Sequence, residues 1–237
     1  GGDFLWESYV SDINKQVTLS DFYQKMPELS FKNKLIKYSQ ILLFNHANAL
    51  VFTTKWQVDI CKDYYRFNEN KIYIIDNFFP KKIKDCGYTK KNFIFAGRNI
   101  PLKNVERMLS AFDKFNSDTE ISIDVVFGIP HEQLLKRISE SYAVILVSIT
   151  DVSPNFIIDA ISMNKPFILT EESGYAERFK DMGLLVDPFN VSDISEKINT
   201  LSNEIFYLQL KERVSKFSYE HSWRQIAEEF IDVVKKI

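Results

Sequence analysis

Glycine and proline are scarce in this 237-residue chain, at seven each, which leaves little room for linkers or low-complexity sequence. Cysteine is scarcer still. Cys61 and Cys86 form neither a disulfide framework nor a metal-ligand cluster, and a reducing cytoplasmic setting is the expectation. The three histidines, His46, His131 and His221, are far apart in sequence. No apolar run approaches the roughly 20 residues of a membrane span; Ile41-Leu42-Leu43-Phe44 is soon broken by Asn45, His46 and Asn48. No secretory leader pattern is visible, although the chain opens on Gly1-Gly2-Asp3 rather than Met, as a fragment or processed product would. Neither charge sign dominates: 30 Lys and Arg against 32 Asp and Glu leave a net charge of −2. That balance argues against a general nucleic-acid binder while permitting a local basic pocket. There is no Walker-type phosphate loop, GxGxxG, zinc spacing or serine nucleophile elbow, so neither a protein-held metal nor a resident cofactor is expected.

What is present is a core-forming composition, 45% hydrophobic, arranged as alternating helices and strands. The spacing predicts a helix over 31–48, with Phe31, Leu35, Tyr38, Leu42 and Ala49 near one face. A strand over 49–53, a helix over 55–66 and a strand over 71–75 follow, the last ending at the turn signal Asp76-Asn77. A polar, lysine-rich stretch over 80–91 then marks a boundary. Beyond it, strands are expected at 93–96, 121–127, 143–147, 167–169 and 184–186. Helices are expected at 104–116, 131–140, 154–163, 174–180, 191–201, 203–215 and 221–236. The strands are nearly continuous apolar runs, the mark of a parallel sheet covered on both faces. Ligands of such sheets sit beyond the carboxyl ends of the strands, where Gly97-Arg98, Gly128, Ser148 to Asp151 and Thr170 to Gly174 all fall.

Ser153-Pro154-Asn155 reads as a helix start, with Ser153 as the cap and Pro154 at the first helical position. The N–H groups of Asn155 and Phe156 would then form an anion site. Taken alone, a plain cap is the better explanation of those residues; Asp151 and Asp159, flanking the same turn, shift the balance. Gly97 permits close approach of the backbone. Arg98 offers a planar fork for phosphate oxygens, and Lys103 a point charge. Each alone is an ordinary surface cation. The stretch Thr170-Glu171-Glu172-Ser173-Gly174-Tyr175 suits a ligand-facing loop and an ordinary turn equally. His131 reads as a surface residue and His46 as packed or solvated.

Taken together, these motifs resemble retaining glycosyltransferases of family four, which have the GT-B fold. Phe95-Ala96-Gly97-Arg98 followed by Lys103-Asn104 is similar to the family's diphosphate-holding Gly-Arg and Lys. Asp151 and Asp159, with seven residues between them, resemble its acidic pair, the first on the transferred sugar and the second on the ribose hydroxyls. Ser153-Pro154-Asn155-Phe156 resembles the loop whose amides meet sugar and phosphate. Asn164-Lys165-Pro166 resembles the turn before the next strand, and Phe217 to Trp223 the segment before a final helix that crosses back to the first domain. Gly2-Asp3-Phe4-Leu5-Trp6-Glu7 resembles a signature inside the N-terminal domain of some members.

The resemblance implies an α/β protein of GT-B type, with two Rossmann-like domains, parallel sheets and an incomplete N-terminal domain. The division would be 1–79 for the partial acceptor-side domain and 80–220 for the nucleotide-sugar-binding domain, with 221–237 as a helix crossing back. It implies transfer of a sugar from a UDP-sugar or GDP-sugar to a glycan or glycoconjugate acceptor with retention of configuration. Asp151 and Asp159 would be the catalytic pair, and Gly97, Arg98, Lys103, Ser153, Asn155 and Phe156 would bind substrate. No metal and no nucleic acid are implied; the location would be cytoplasmic, with the acceptor bringing the protein near a membrane. Three departures stand out. The chain begins partway into the N-terminal domain, so a second chain is a candidate to complete it. The acidic pair is Asp/Asp where Glu/Glu is usual. Only one strand fits between Ala111 and Gly128 where a further strand and helix are usual. The alternative is a non-catalytic nucleotide-sugar binder or scaffold that kept the fold.

Overall fold

The computed structural model describes residues 3–13, 16–83, 87–115 and 121–237; Gly2 and Cys86 lie outside them. The amino-terminal part holds helices α1 (Phe4–Ile13), α2 (Leu19–Lys25), α3 (Phe31–His46) and α4 (Lys55–Tyr65), with strands β1 (Leu50–Phe52) and β2 (Ile72–Ile74). The two strands pair in parallel, Leu50 opposite Ile72. Side chains set the helix starts. The Asp3 carboxylate accepts from the Trp6 N–H, Thr18 from Asp21, Ser30 from Asn33 and Thr54 from Gln57, each taking one of the N–H groups a helix start leaves unpaired.

The carboxy-terminal part alternates strand and helix: β3 (Asn92–Gly97), α5 (Val105–Lys114), β4 (Ser122–Phe127), α6 (His131–Glu140), β5 (Ala143–Leu146), α7 (Asn155–Ser162), β6 (Phe167–Thr170), α8 (Ala176–Phe179) and β7 (Leu184–Val186). Helices α9 (Val191–Ser202), α10 (Glu204–Lys216) and α11 (Trp223–Lys236) complete it. All five strands are parallel, in the order β4-β3-β5-β6-β7. β5 and β6 are buried at every position, and β3 at all but Gly97, as their unbroken apolar sequence requires once helices cover both faces. Phe93, Phe95, Phe167 and Phe179 fill this core. The Lys165 ammonium is buried and donates to the carbonyls of Ser139 and Ser141 at 2.8 Å each, so the Asn164-Lys165-Pro166 motif pins the turn before β6 to the end of α6. α11 opens with a capping box of Ser222 and Gln225.

Predicted and observed elements after residue 30 differ by one or two residues at their ends, the usual fraying of helix and strand termini. The larger differences lie elsewhere. The first 30 residues carry α1 and α2, which the periodicity did not reveal, and their aromatic side chains Tyr9, Phe22 and Tyr23 build a second core with Tyr65. Ile149 and Val152 from the loop after β5 join that second core, so the two parts share packing at this loop. The apolar stripe of α3 faces outward: Phe31, Leu35 and Tyr38 are 78%, 53% and 62% exposed, while Ile36, Ile41 and Phe44 pack inward.

Candidate functional site

The strand order reverses beside β3: the chain runs from β3 outward to β4, then returns to the other side of β3 for β5. In open parallel sheets the crevice beyond the carboxyl ends at such a point is where ligands bind. Here Arg98 follows β3, Thr150 to Pro154 lie between β5 and α7, and Asn155 opens α7. A short 3-10 turn, Pro101–Lys103, turns Lys103 back toward the same crevice. Its ammonium contacts the Asp151 carboxylate at 2.7 Å, both side chains largely buried. Arg98 is exposed and makes no ion pair among the described residues. A Cβ on Gly97 would sit 3.2 Å from the Phe95 ring and 3.6 Å from the Lys103 stem, so that glycine leaves room for the lysine to pass.

Arg98, Lys103, Asp151, Ser153 and Asn155 line one cavity of about 270 Å³. Trp6 and Glu7 of α1, Thr53 after β1 and Asn77 after β2 also line it; none of the four is a site candidate from the sequence, where Trp6 and Glu7 belong only to a motif and Asn77 only to a turn signal. Asp159 does not share this cavity. It lines an adjoining, more apolar one of about 560 Å³ with Phe78, His131, Trp223 and Phe230. Asn77 and Asn155 border both. The Asp159 carboxylate accepts a bond of 2.9 Å from the exposed His131 ring. Burial raises its pKa, against a smaller downward pull from His131.

α7 begins one residue later than expected, with Pro154 in the cap position and no side-chain cap. The Ser153 hydroxyl is occupied elsewhere: it accepts from the Asn77 side chain and donates to the Tyr175 hydroxyl. Ile157 and Ile158 donate their N–H groups to the Pro154 carbonyl at 3.0 and 3.2 Å. Among the described hydrogen bonds none is donated by the backbone N–H of Asn155 or Phe156, so this end of α7 keeps the free donors and partial positive charge of a helix start. The Phe156 ring itself is buried in the core.

The loop after β6 has a structural task. Burial raises the pKa of the Glu172 carboxyl, against a smaller downward pull from Ser20 at the start of α2. Leu19 donates to the Thr150 hydroxyl at 3.0 Å, so α2 is seated on the loops after β5 and β6. Gly174 is required by close approach: a Cβ there would lie 2.1 Å from the Val152 carbonyl and 2.7 Å from the Thr54 hydroxyl. No group of three His, Cys, Asp or Glu among the described residues is placed to hold a metal, and none of their helices is long and apolar enough to cross a membrane.

No protein-family model and no curated protein matches the sequence. Solved structures do match. A Staphylococcus aureus TarM mutant, bound to fondaparinux, α-GlcNAc-glycerol and UDP, superposes with a TM-score of 0.63 at 17% identity over 87% of this chain and 48% of its own. Sucrose-phosphate synthase from Thermosynechococcus elongatus gives 0.68 at 15%, over 93% and 66%. Anabaena HepE, in complex with UDP and glucose, gives 0.66 at 13%, over 94% and 70%. At these identities the likeness is one of fold. The chain has an α/β fold of GT-B type with two parallel sheets, and it spans about half of TarM and just under two thirds of the synthase.

Proposed function

We propose that the chain is a nucleotide-sugar-dependent glycosyltransferase of the retaining, family-four type, or a large part of one. The observation that carries this reading is the convergence of Arg98, the Lys103–Asp151 pair and the uncapped start of α7 on the crevice beside β3. Solved structures of like fold were crystallised with UDP and a sugar. In the proposed reaction the bond between the anomeric carbon and the β-phosphate oxygen breaks, and the nucleoside diphosphate leaves. Arg98 and Lys103 neutralise its charge, and the N–H groups of Asn155 and Phe156 add fixed dipoles, a preorganised electrostatic contribution. Asp151 orients the transferred sugar, and Asp159 accepts from the ribose hydroxyls in the adjoining cavity. The departing phosphate takes the proton of the attacking acceptor hydroxyl on the same face, so no enzymic nucleophile is required. Residues 1–79 form the acceptor side, residues 80–220 the donor side, and 221–237 the helix crossing back. The acceptor is a glycan or glycoconjugate, and further polypeptide, from a second chain or this one, covers the apolar face of α3.

A non-catalytic binder is the second reading, favoured by the Lys103–Asp151 ion pair, which ties up both side chains. Calorimetric titration with UDP-glucose, UDP-GlcNAc, GDP-mannose, UDP and GDP tests the donor site. Saturable binding to one nucleotide series, lost in Arg98→Ala, supports it. A folded chain that binds none of them contradicts it. Sugar release or transfer by a binding-competent protein then separates the enzyme from the binder.

A further inference from the structure

The turn after β2 and the turn before α7 are joined by a hydrogen-bonded relay that ends on a partly buried ion pair. Asn77 donates through its side-chain amide to the Ser153 hydroxyl and, at 2.8 Å, to Oδ1 of the Asn155 side chain. Ser153 donates to the Tyr175 hydroxyl at 3.1 Å, and Tyr175 donates to the Asp76 carboxylate. The other Asp76 oxygen accepts from the Arg178 guanidinium at 2.6 Å. That guanidinium lies 4.1 Å from the Tyr219 ring centre and 4.6 Å from that of Phe79. The Asn77 carbonyl is held in turn by the buried His221 ring at 3.0 Å. Donors and acceptors run one way, from amide to hydroxyl to phenol to carboxylate, and the charge at the end is matched. Burial and the Asp76 carboxylate both raise the pKa of the Tyr175 phenol, which keeps it a donor. A fully partnered polar chain of this kind fixes geometry better than isolated bonds do.

We infer that Asp76, Tyr175 and Arg178 are positioning residues: they act through Ser153 and Asn77 to hold the first turn of α7, and with it the N–H groups of Asn155 and Phe156, aimed into the crevice. The inference deepens the donor-site reading and rests on it for the identity of the ligand, while the mechanical part stands without any ligand. Tyr175 lines neither cavity, whereas Asp76 borders the adjoining one. An effect of Tyr175 on binding therefore passes through the turn, and Asp76 is judged by amide exchange on the ligand-free chain.

The test uses Tyr175→Phe, which keeps the ring among Phe79 and Phe179 and removes only the hydroxyl. Asp76→Asn serves as a second variant. Amide hydrogen exchange on the ligand-free chain should show faster exchange at Ile157 and Ile158, with Ile145 and Leu169 of the sheet unchanged. Affinity for the nucleotide that the wild type binds should fall roughly 2- to 10-fold, the worth of about one hydrogen bond. Ser153→Ala should cost a similar factor, and the double variant with Tyr175→Phe no more than either alone, because the effect is routed through one side chain. Unchanged exchange at Ile157 in Tyr175→Phe, or losses that multiply in the double variant, would overturn the inference. A wild-type chain that binds no nucleotide, together with faster exchange in Tyr175→Phe, would support the positioning role and remove the donor reading.

Discussion

Asp159 sits where a carboxylate is costly. Burial raises its pKa above the ordinary value of 3.8, and the His131 bond recovers only part of that. A carboxyl whose pKa rises on folding destabilises the native state once ionised, because the unfolded chain then binds fewer protons. Stability therefore falls as pH rises from 3.8 through the raised value. Asp159→Asn removes the cost. Its melting temperature at pH 7 should exceed the wild type's, by about 2–4 °C for each kcal/mol gained, and the advantage should vanish below the ordinary carboxylate value. The same variant should bind nucleotide more weakly. A lower melting temperature at pH 7 would mean that the His131 bond outweighs the burial cost. Cys61 gives a simpler check. Its buried thiol, with Asp3 adding to the effect, is pushed up to about 12, and it donates to the Gln57 carbonyl. In a Cys86→Ser background it should resist Ellman's reagent at pH 8 until the protein is unfolded, since the thiolate is the reactive form. Prompt labelling of the native chain would show that α4 opens.

At the scale of elements, the tightest requirement is the passage of the loop after β5 beside the loop after β6. Asp151 bridges to Ser173 along the backbone, and Gly174 lies against Val152 and Thr54. Gly174→Ala forces these segments apart. It should destabilise by about 1–3 kcal/mol, the cost of overpacking, seen as a lower urea midpoint. A change within about 0.5 kcal/mol, as for an ordinary surface substitution, would contradict the close packing. The elements after residue 30 were legible because apolar runs such as Val144-Ile145-Leu146 and Phe167-Ile168-Leu169 have one stable use, a strand buried on both faces. α1 and α2 were not, since short helices take most of their stability from packing rather than from their own sequence. The site was legible as a set of cations and carboxylates at strand ends. Its connections were not: the Lys103–Asp151 pair and the Ser153–Tyr175 bond join residues 48 and 22 positions apart, and only the fold brings them together. Ser153 looked like a cap by residue type, and lost that role to partners that periodicity cannot reveal.

Seen whole, the molecule is lopsided. The carboxy-terminal sheet is covered on both faces, whereas in the amino-terminal part α3 exposes Phe31, Leu35, Tyr38 and Leu43, and the two-stranded sheet exposes Val51 and Ile74. An exposed apolar stripe along a helix, such as that of α3, marks a surface meant to be covered. The isolated chain should bind a hydrophobic dye and associate with rising concentration in light scattering. The double variant Leu35→Lys, Leu43→Lys should reduce both without lowering the melting temperature, because neither side chain is buried. A monodisperse chain that excludes the dye would contradict this.

We propose that the crevice beyond β3 and β5 receives a nucleoside diphosphate. This is tested most directly by backbone amide NMR of the labelled chain titrated with UDP and with GDP. Saturable shifts are expected for one of them at Gly97, Arg98 and Asn99, at and just beyond the end of β3, and at Ser153, Asn155 and Phe156 around the start of α7, with the opposite ends of the same strands unmoved. Shifts confined to those opposite ends, or none from a chain whose spectrum shows it folded, would contradict it.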